Sequence, residues 1–233
     1  MSRHCRSIDT GGVEGRDAVI PANNPATDYR ALVTRGYDAC AQAYHESRKV
    51  QAAAEIRGLL DRLDDGSAVL DVGCGAGVPI AESLADCHRV TGVDVSREMV
   101  RLARRHVPTG EFMCADVMSI SFKPSSFDAI VALYSIFHLP REVQPALFQR
   151  FHRWLRPGGY LLCTLSHQSE PGYTEDDFHG VTMYWSNFGL REYLGTLADS
   201  GFVVLETSST ACGCDETDLG TIEDHPLVLA QRH

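Results

Sequence analysis

Asp71, Gly73, Gly75 and Gly77 follow the short apolar run Ala68-Val69-Leu70, in the order Asp71-Val72-Gly73-Cys74-Gly75-Ala76-Gly77. Glycines at every second position permit left-handed backbone and let a ligand lie against bare main chain. Two ligand classes use such a turn. A dinucleotide fingerprint needs G-x-G-x-x-G, with the pyrophosphate on the following helix N-terminus. Here Val78, followed by Pro79, stands where the third dinucleotide glycine would fall. Asp71 places a carboxylate at the mouth of the turn, which repels pyrophosphate but suits an ammonium or a sulfonium. The ligand this combination favours is S-adenosylmethionine.

Methyl transfer from a sulfonium is an in-line displacement whose reactivity resides in the cofactor. The protein must hold the nucleophile close and aligned, exclude water, and remove a proton if the nucleophile arrives protonated. His138 is placed for proton removal, five residues past a strand predicted at 127–133. That is the rim on which open α/β sheets bind ligands, and histidine's ordinary pKa of about 6.5 suits the task. Capping of the next helix, or substrate positioning, is the competing reading for a histidine before Leu139-Pro140. Tyr134 is the second candidate, as a wall or hydrogen-bonding group. Tyr184, Trp185 and Phe188 could line an acceptor chamber or pack the segment that carries them onto the sheet.

These residues need a scaffold, and the chain's hydrophobic pattern describes one. Strands are predicted at 68–73, 89–94, 110–115, 127–133, 158–165, 202–207 and 225–231, with helices at 78–86, 96–106, 141–154 and 188–200. Apolar strands alternating with helices of this length indicate a parallel sheet covered on both faces. The helix from about 78 would aim its unpaired amides at the glycine turn. Ser96 is the expected N-cap of the helix that follows the second strand. Upstream, residues 28–63 read as two helices, with Tyr37 and Tyr44 seven apart on one face. Residues 1–27 lack any period and read as a flexible leader before a single domain over 28–233. The polar stretch 166–187 is long for a connection and reads as a lid-like insertion.

Composition narrows the function classes. The 233 residues carry 21 basic and 31 acidic side chains, a net charge of −10, which disfavours a nucleic-acid binder. Arg97, Arg101, Arg104 and Arg105 sit at helical spacing and read as a solvated face. No apolar run approaches the roughly 18 residues of a membrane helix. The eight cysteines are scattered in a way that suits reduced thiols in the cytoplasm. Cys212-Gly213-Cys214 lacks two further ligands at recognisable spacing, so no metal site is expected.

Several segments in order resemble the class I S-adenosylmethionine-dependent methyltransferases, small-molecule type, over nearly the whole chain from Tyr37 onward. They are the glycine turn; Val90-Thr91-Gly92-Val93-Asp94-Val95-Ser96; Cys114-Ala115-Asp116-Val117; the strand Phe127–Leu133 running on to His138; and Leu155-Arg156-Pro157-Gly158-Gly159. The run Tyr37-Asp38-Ala39-Cys40-Ala41-Gln42-Ala43-Tyr44 resembles the family's N-terminal helix. The resemblance implies a three-layer αβα sandwich, its sheet seven-stranded, mostly parallel and of the Rossmann-like methyltransferase type, with an antiparallel last strand. It implies that Asp94 takes the ribose hydroxyls, that Asp116 receives the adenine amino group, and that the amide of Val117 meets a ring nitrogen. Asp71, Gly73, Gly75, Gly77, Val95, Met99, Leu133 and Tyr44 complete the implied cofactor site, with Tyr44 near its methionine end. Tyr37, His138, Tyr184 and Trp185 are the implied acceptor residues. The function expected is methyl transfer to oxygen or nitrogen of a metabolite, by a monomer or homodimer needing no nucleic acid or membrane. A carbon acceptor, or a silent cofactor-binding regulator, are the alternatives.

Overall fold

The computed structural model describes residues 28–47, 54–210 and 224–233. The expected leader 1–27, the start of the second predicted helix and the Cys212/Cys214 pair lie outside the described residues. Helix α1 spans Tyr29–Ser47, and the four-residue α2 spans Arg57–Leu60. The core then alternates: β1 Ala68–Val72, α3 Ile80–Ala85, β2 Arg89–Asp94, α4 Arg97–His106, β3 Glu111–Cys114 and β4 Phe127–Ala132. Next come α5 Gln144–Trp154, β5 Leu155–Thr164, β6 Glu170–Phe178, β7 Val181–Asn187, α6 Leu190–Asp199, β8 Phe202–Ser209 and β9 Pro226–Arg232.

Seven strands form one sheet in the order β3-β2-β1-β4-β5-β9-β8. β1 pairs in parallel with β2 and β4, whereas β9 runs antiparallel to both β5 and β8. Chain order reverses between β1 and β4, and such a switch point leaves a crevice beyond the strands' carboxyl ends. Alternation along each strand separates two cores. Leu70, Ile130 and Leu161 face Phe148, Phe151, Trp154 and Tyr193 of α5 and α6. Val69, Val131 and Leu162 join Leu84, Val100 and Ala103 of α3 and α4 on the other face.

The stretch 166–187 carries two strands that the sequence pattern did not predict. It is an antiparallel β6–β7 hairpin, turning at His179-Gly180 with both residues at positive φ. Its polarity misled because β6 is mostly solvent-facing, while β7 buries Met183, Tyr184 and Trp185 in a third core with α1. Other boundaries differ less. Pro79 precedes α3, which therefore starts at Ile80 rather than 78, and β5 begins at Leu155, ahead of the Pro-Gly-Gly turn. The second N-terminal helix is only the short α2 among the described residues.

Candidate functional site

A cavity opens at the switch point, lined from the ends of β1, β2, β3 and β4 and roofed by α1. Counted with its open mouth, it encloses about 1250 Å³.

The glycine turn forms its floor. Gly73 has φ +74°, and a Cβ there would come within 2.3 Å of the Ser135 Cβ. Glycine is thus required by the β4 loop as well as by backbone conformation. Gly75, at φ +52°, faces open space. Gly77 (φ +79°) packs on Ala103 of α4, and its neighbours Ala76 and Val78 rather than Gly77 itself line the cavity. The turn's amides are also used internally. Those of Gly73 and Cys74 donate to the Val93 carbonyl, that of Gly75 to Asp94 Oδ2, and that of Gly77 to the Cys74 carbonyl. The turn itself therefore offers a ligand few free amides. It offers a bare surface, and α3 is a six-residue helix.

Carboxylates mark the strand ends. Asp71 is buried, and its Oδ2 has no hydrogen-bond partner among the described residues. Burial, with the nearby Asp94 charge second, raises its pKa to about 7. Asp94 is raised to about 6 by burial, against the lowering effect of hydrogen bonds from the Ser96 and Gly75 amides. Asp116 Oδ2 pairs with Arg30 Nε at 2.8 Å, and its Oδ1 accepts from the Met118 amide. Val95, Met99, Val117 and Leu133 line the cavity between these groups. The cavity fits a donor bearing an ammonium, a ribose and an adenine. Asp71 Oδ2, buried and without a hydrogen-bond partner among the described residues, suits the ammonium, and the space above Gly75 is open.

α1 is seated on the sheet by Asp38, whose Oδ1 accepts from Ser96 Oγ (2.6 Å) and the Glu98 amide (3.1 Å). Ser96 Oγ accepts from the Met99 amide, so Ser96 is the N-cap of α4 as expected. This places Tyr37 and Tyr44 on the cavity wall. Tyr37 Oη lies 2.7 Å from His138 Nε2, and His138 Nδ1 lies 2.9 Å from the Tyr184 carbonyl. A carbonyl only accepts, so Nδ1 carries the proton and Nε2 receives the tyrosine hydroxyl. Trp185 lies against the imidazole, ring centroids 4.5 Å apart. His138 is buried yet on the cavity wall, whereas Tyr184 and Trp185 stand behind it. Phe188 lies elsewhere, edge-on to Tyr193 beside α6.

Tyr134 also lines the cavity, at φ +53°, an uncommon conformation for an aromatic residue. Its amide donates to Thr164 Oγ1 (2.6 Å) and its hydroxyl to Glu55. Glu55, Arg30 and His45 are residues that sequence reasoning missed. Each joins the site through tertiary contact, with no local motif to signal it. Among the described residues no group of three or more His, Cys, Asp or Glu could hold a metal ion.

Residues 69–159 match a family described as a methyltransferase domain. The chain is 35% identical over 144 residues to phosphoethanolamine N-methyltransferase of Triticum aestivum, covering 59% of this chain and 27% of that protein. It is 31% identical over 162 residues to 2-methyl-6-phytyl-1,4-hydroquinone methyltransferase of Synechocystis, covering 67% and 48%. The chain thus spans about a quarter to a half of the length of these curated relatives. Among solved structures, the Burkholderia thailandensis 1,6-didemethyltoxoflavin-N1-methyltransferase shares its fold, with TM-score 0.69 and 19% identity over 95% of this chain and 98% of that one. Motif series, strand order and the matched segment 69–159 together make this chain similar to the class I S-adenosylmethionine-dependent methyltransferases.

Proposed function

We propose that the protein transfers a methyl group from S-adenosylmethionine to an oxygen or nitrogen atom of a small organic acceptor. One observation carries this reading: a single cavity joins the strand-end carboxylates Asp71, Asp94 and Asp116 to the His138–Tyr37 pair. The bound sulfonium supplies the electrophilic methyl group. Asp71 meets the ammonium, Asp94 the ribose hydroxyls and Asp116 the adenine amino group, while Gly73 and Gly75 give the main chain close approach. Val95, Met99, Val117 and Leu133 exclude water around the donor, and Tyr44 stands by its methionine end. His138 Nε2 takes the acceptor's proton once the Tyr37 hydroxyl yields its place. The Tyr184 carbonyl holds the tautomer that leaves Nε2 basic, and Trp185 fixes the ring. Tyr134 walls the acceptor end.

The named relatives methylate phosphoethanolamine and a phytylhydroquinone, which supports a small-molecule acceptor. Cys40, Cys74, Cys87, Cys114 and Cys163 are free thiols, which supports a cytoplasmic setting. No helix among the described residues is long and apolar enough to cross a membrane. We extend the reading to a single domain over 28–233 acting as a monomer or homodimer.

Calorimetry with S-adenosylhomocysteine and with NAD tests the donor. Binding of NAD without the homocysteine compound overturns the reading. Asp94→Ala should weaken S-adenosylhomocysteine binding by about 1–3 kcal/mol, as expected for lost charge-assisted hydrogen bonds. A screen of phenols, hydroquinones and amines, read as S-adenosylhomocysteine formed, identifies the acceptor. With that acceptor, His138→Ala should lower turnover about 100-fold or more while donor affinity stays within twofold. Full turnover in the variant would remove the base role.

A further inference from the structure

Arg30 sits in the first turn of α1, which Asp28 caps by accepting from the Arg30 and Ala31 amides. Its guanidinium reaches the Asp116 carboxylate at 2.8 Å, and both residues line the same end of the cavity. Its Cζ stands 5.3 Å from the Tyr29 ring centroid. Tyr29 in turn packs on Tyr184 of β7, centroids 5.6 Å apart. Tyr184 gives its carbonyl to His138 Nδ1. A continuous line of contacts therefore runs from Asp116 through Arg30, Tyr29 and Tyr184 to His138, along α1 and β7.

We propose that Arg30 is a positioning residue that couples occupancy of the Asp116 end to the seating of α1 and β7 around His138. The inference rests on reading the cavity as the methyl-donor site. An ion pair with one partner half-exposed contributes little by itself. When a planar base covers Asp116, water leaves and the attraction between carboxylate and guanidinium strengthens. Donor binding and closure of the Arg30 contact then favour one another, since such linkage is reciprocal. Arg30 acts through Asp116 and α1 and touches no reacting atom.

The test combines calorimetry with amide hydrogen exchange, using S-adenosylhomocysteine as the probe. In the wild type, saturating probe should slow exchange in residues 29–47 and 181–187. Arg30→Met should bind the probe about 5- to 20-fold more weakly and, even at saturation, lose that protection. Arg30→Lys, which keeps the charge, should recover part of both. A merely structural role would instead change exchange in the free protein and leave the probe-induced difference intact. Should Arg30→Met fold poorly, Arg30→Gln carries the same expectation. Affinity within twofold of wild type, or full protection in the variant, overturns the coupling alone. Failure of the wild type to bind the probe overturns the donor-site reading and this inference together.

Discussion

Asp71 is the residue whose energetics say most about this site. A carboxyl group raised to about 7 when folded and near 3.8 when unfolded holds its proton more tightly in the native state. Native protein then binds more protons than unfolded chain between about pH 4 and 7. Stability of the free protein therefore falls as pH rises through that window and levels off above it. Asp71→Asn should raise the melting temperature of the free protein at pH 8, by a gain on the order of 1–4 kcal/mol. The same change should weaken S-adenosylhomocysteine binding, because the ammonium loses its counter-charge. A variant that melts lower and binds normally would refute this account. In the wild type, calorimetric affinity should rise from pH 5.5 to 7.5 as Asp71 and Asp94 ionise. At this scale the sequence was informative where chemistry is local. Strand-end acids and alternating glycines are visible in the chain. The partners that tune them, Arg30 on Asp116 and Glu55 on Tyr134, come from distant segments and leave no local signal.

Elements were legible in proportion to how regular their burial is. The central strands β1 and β4 are mostly buried, and β1, β2, β3 and β4 all lie within a residue or two of expectation. The β6–β7 hairpin was not legible, because exposed acids such as Glu175, Asp176 and Asp177 along β6 mask the apolar face of β7. Two predictions belong here. Gly73→Ala must hold alanine at φ +74° with its Cβ overlapping Ser135. It should cost about 2–4 kcal/mol in chemical denaturation and reduce donor affinity, since Ser135 belongs to the cavity wall. Gln144 ties the His138 loop to α5 and the hairpin. Its Nε2 donates to the Leu139 (2.8 Å) and Ser186 (2.9 Å) carbonyls, and its Oε1 accepts from Tyr193. Gln144→Leu leaves buried polar groups unpaired and should destabilise by about 2–4 kcal/mol. Its turnover should fall more than its donor affinity.

For the whole molecule, the proposed donor and acceptor draw on different parts of the fold. The proposed donor end is made from the carboxyl ends of β1, β2, β3 and β4, with Arg30 and Tyr44 of α1 beside them. The proposed acceptor end is made from Tyr37 of α1, the β4 loop and, behind it, the hairpin. Trp154 is fully buried at the centre of one core. Trp154→Ala should lower global stability by about 3–5 kcal/mol without preference for either ligand, measured by denaturation and calorimetry together. The fixed tautomer of His138 has a further consequence. Its partner at Nδ1 is the main-chain oxygen of Tyr184, not a side chain. The acceptor at 184 is thus main chain, while the Tyr184 side chain serves the packing on Tyr29. A one-residue slip of the hairpin would turn the neighbouring side chains to the opposite face and withdraw Trp185 from the imidazole. Proton placement at this site is a property of strand register, to be inherited or lost with the hairpin as a unit.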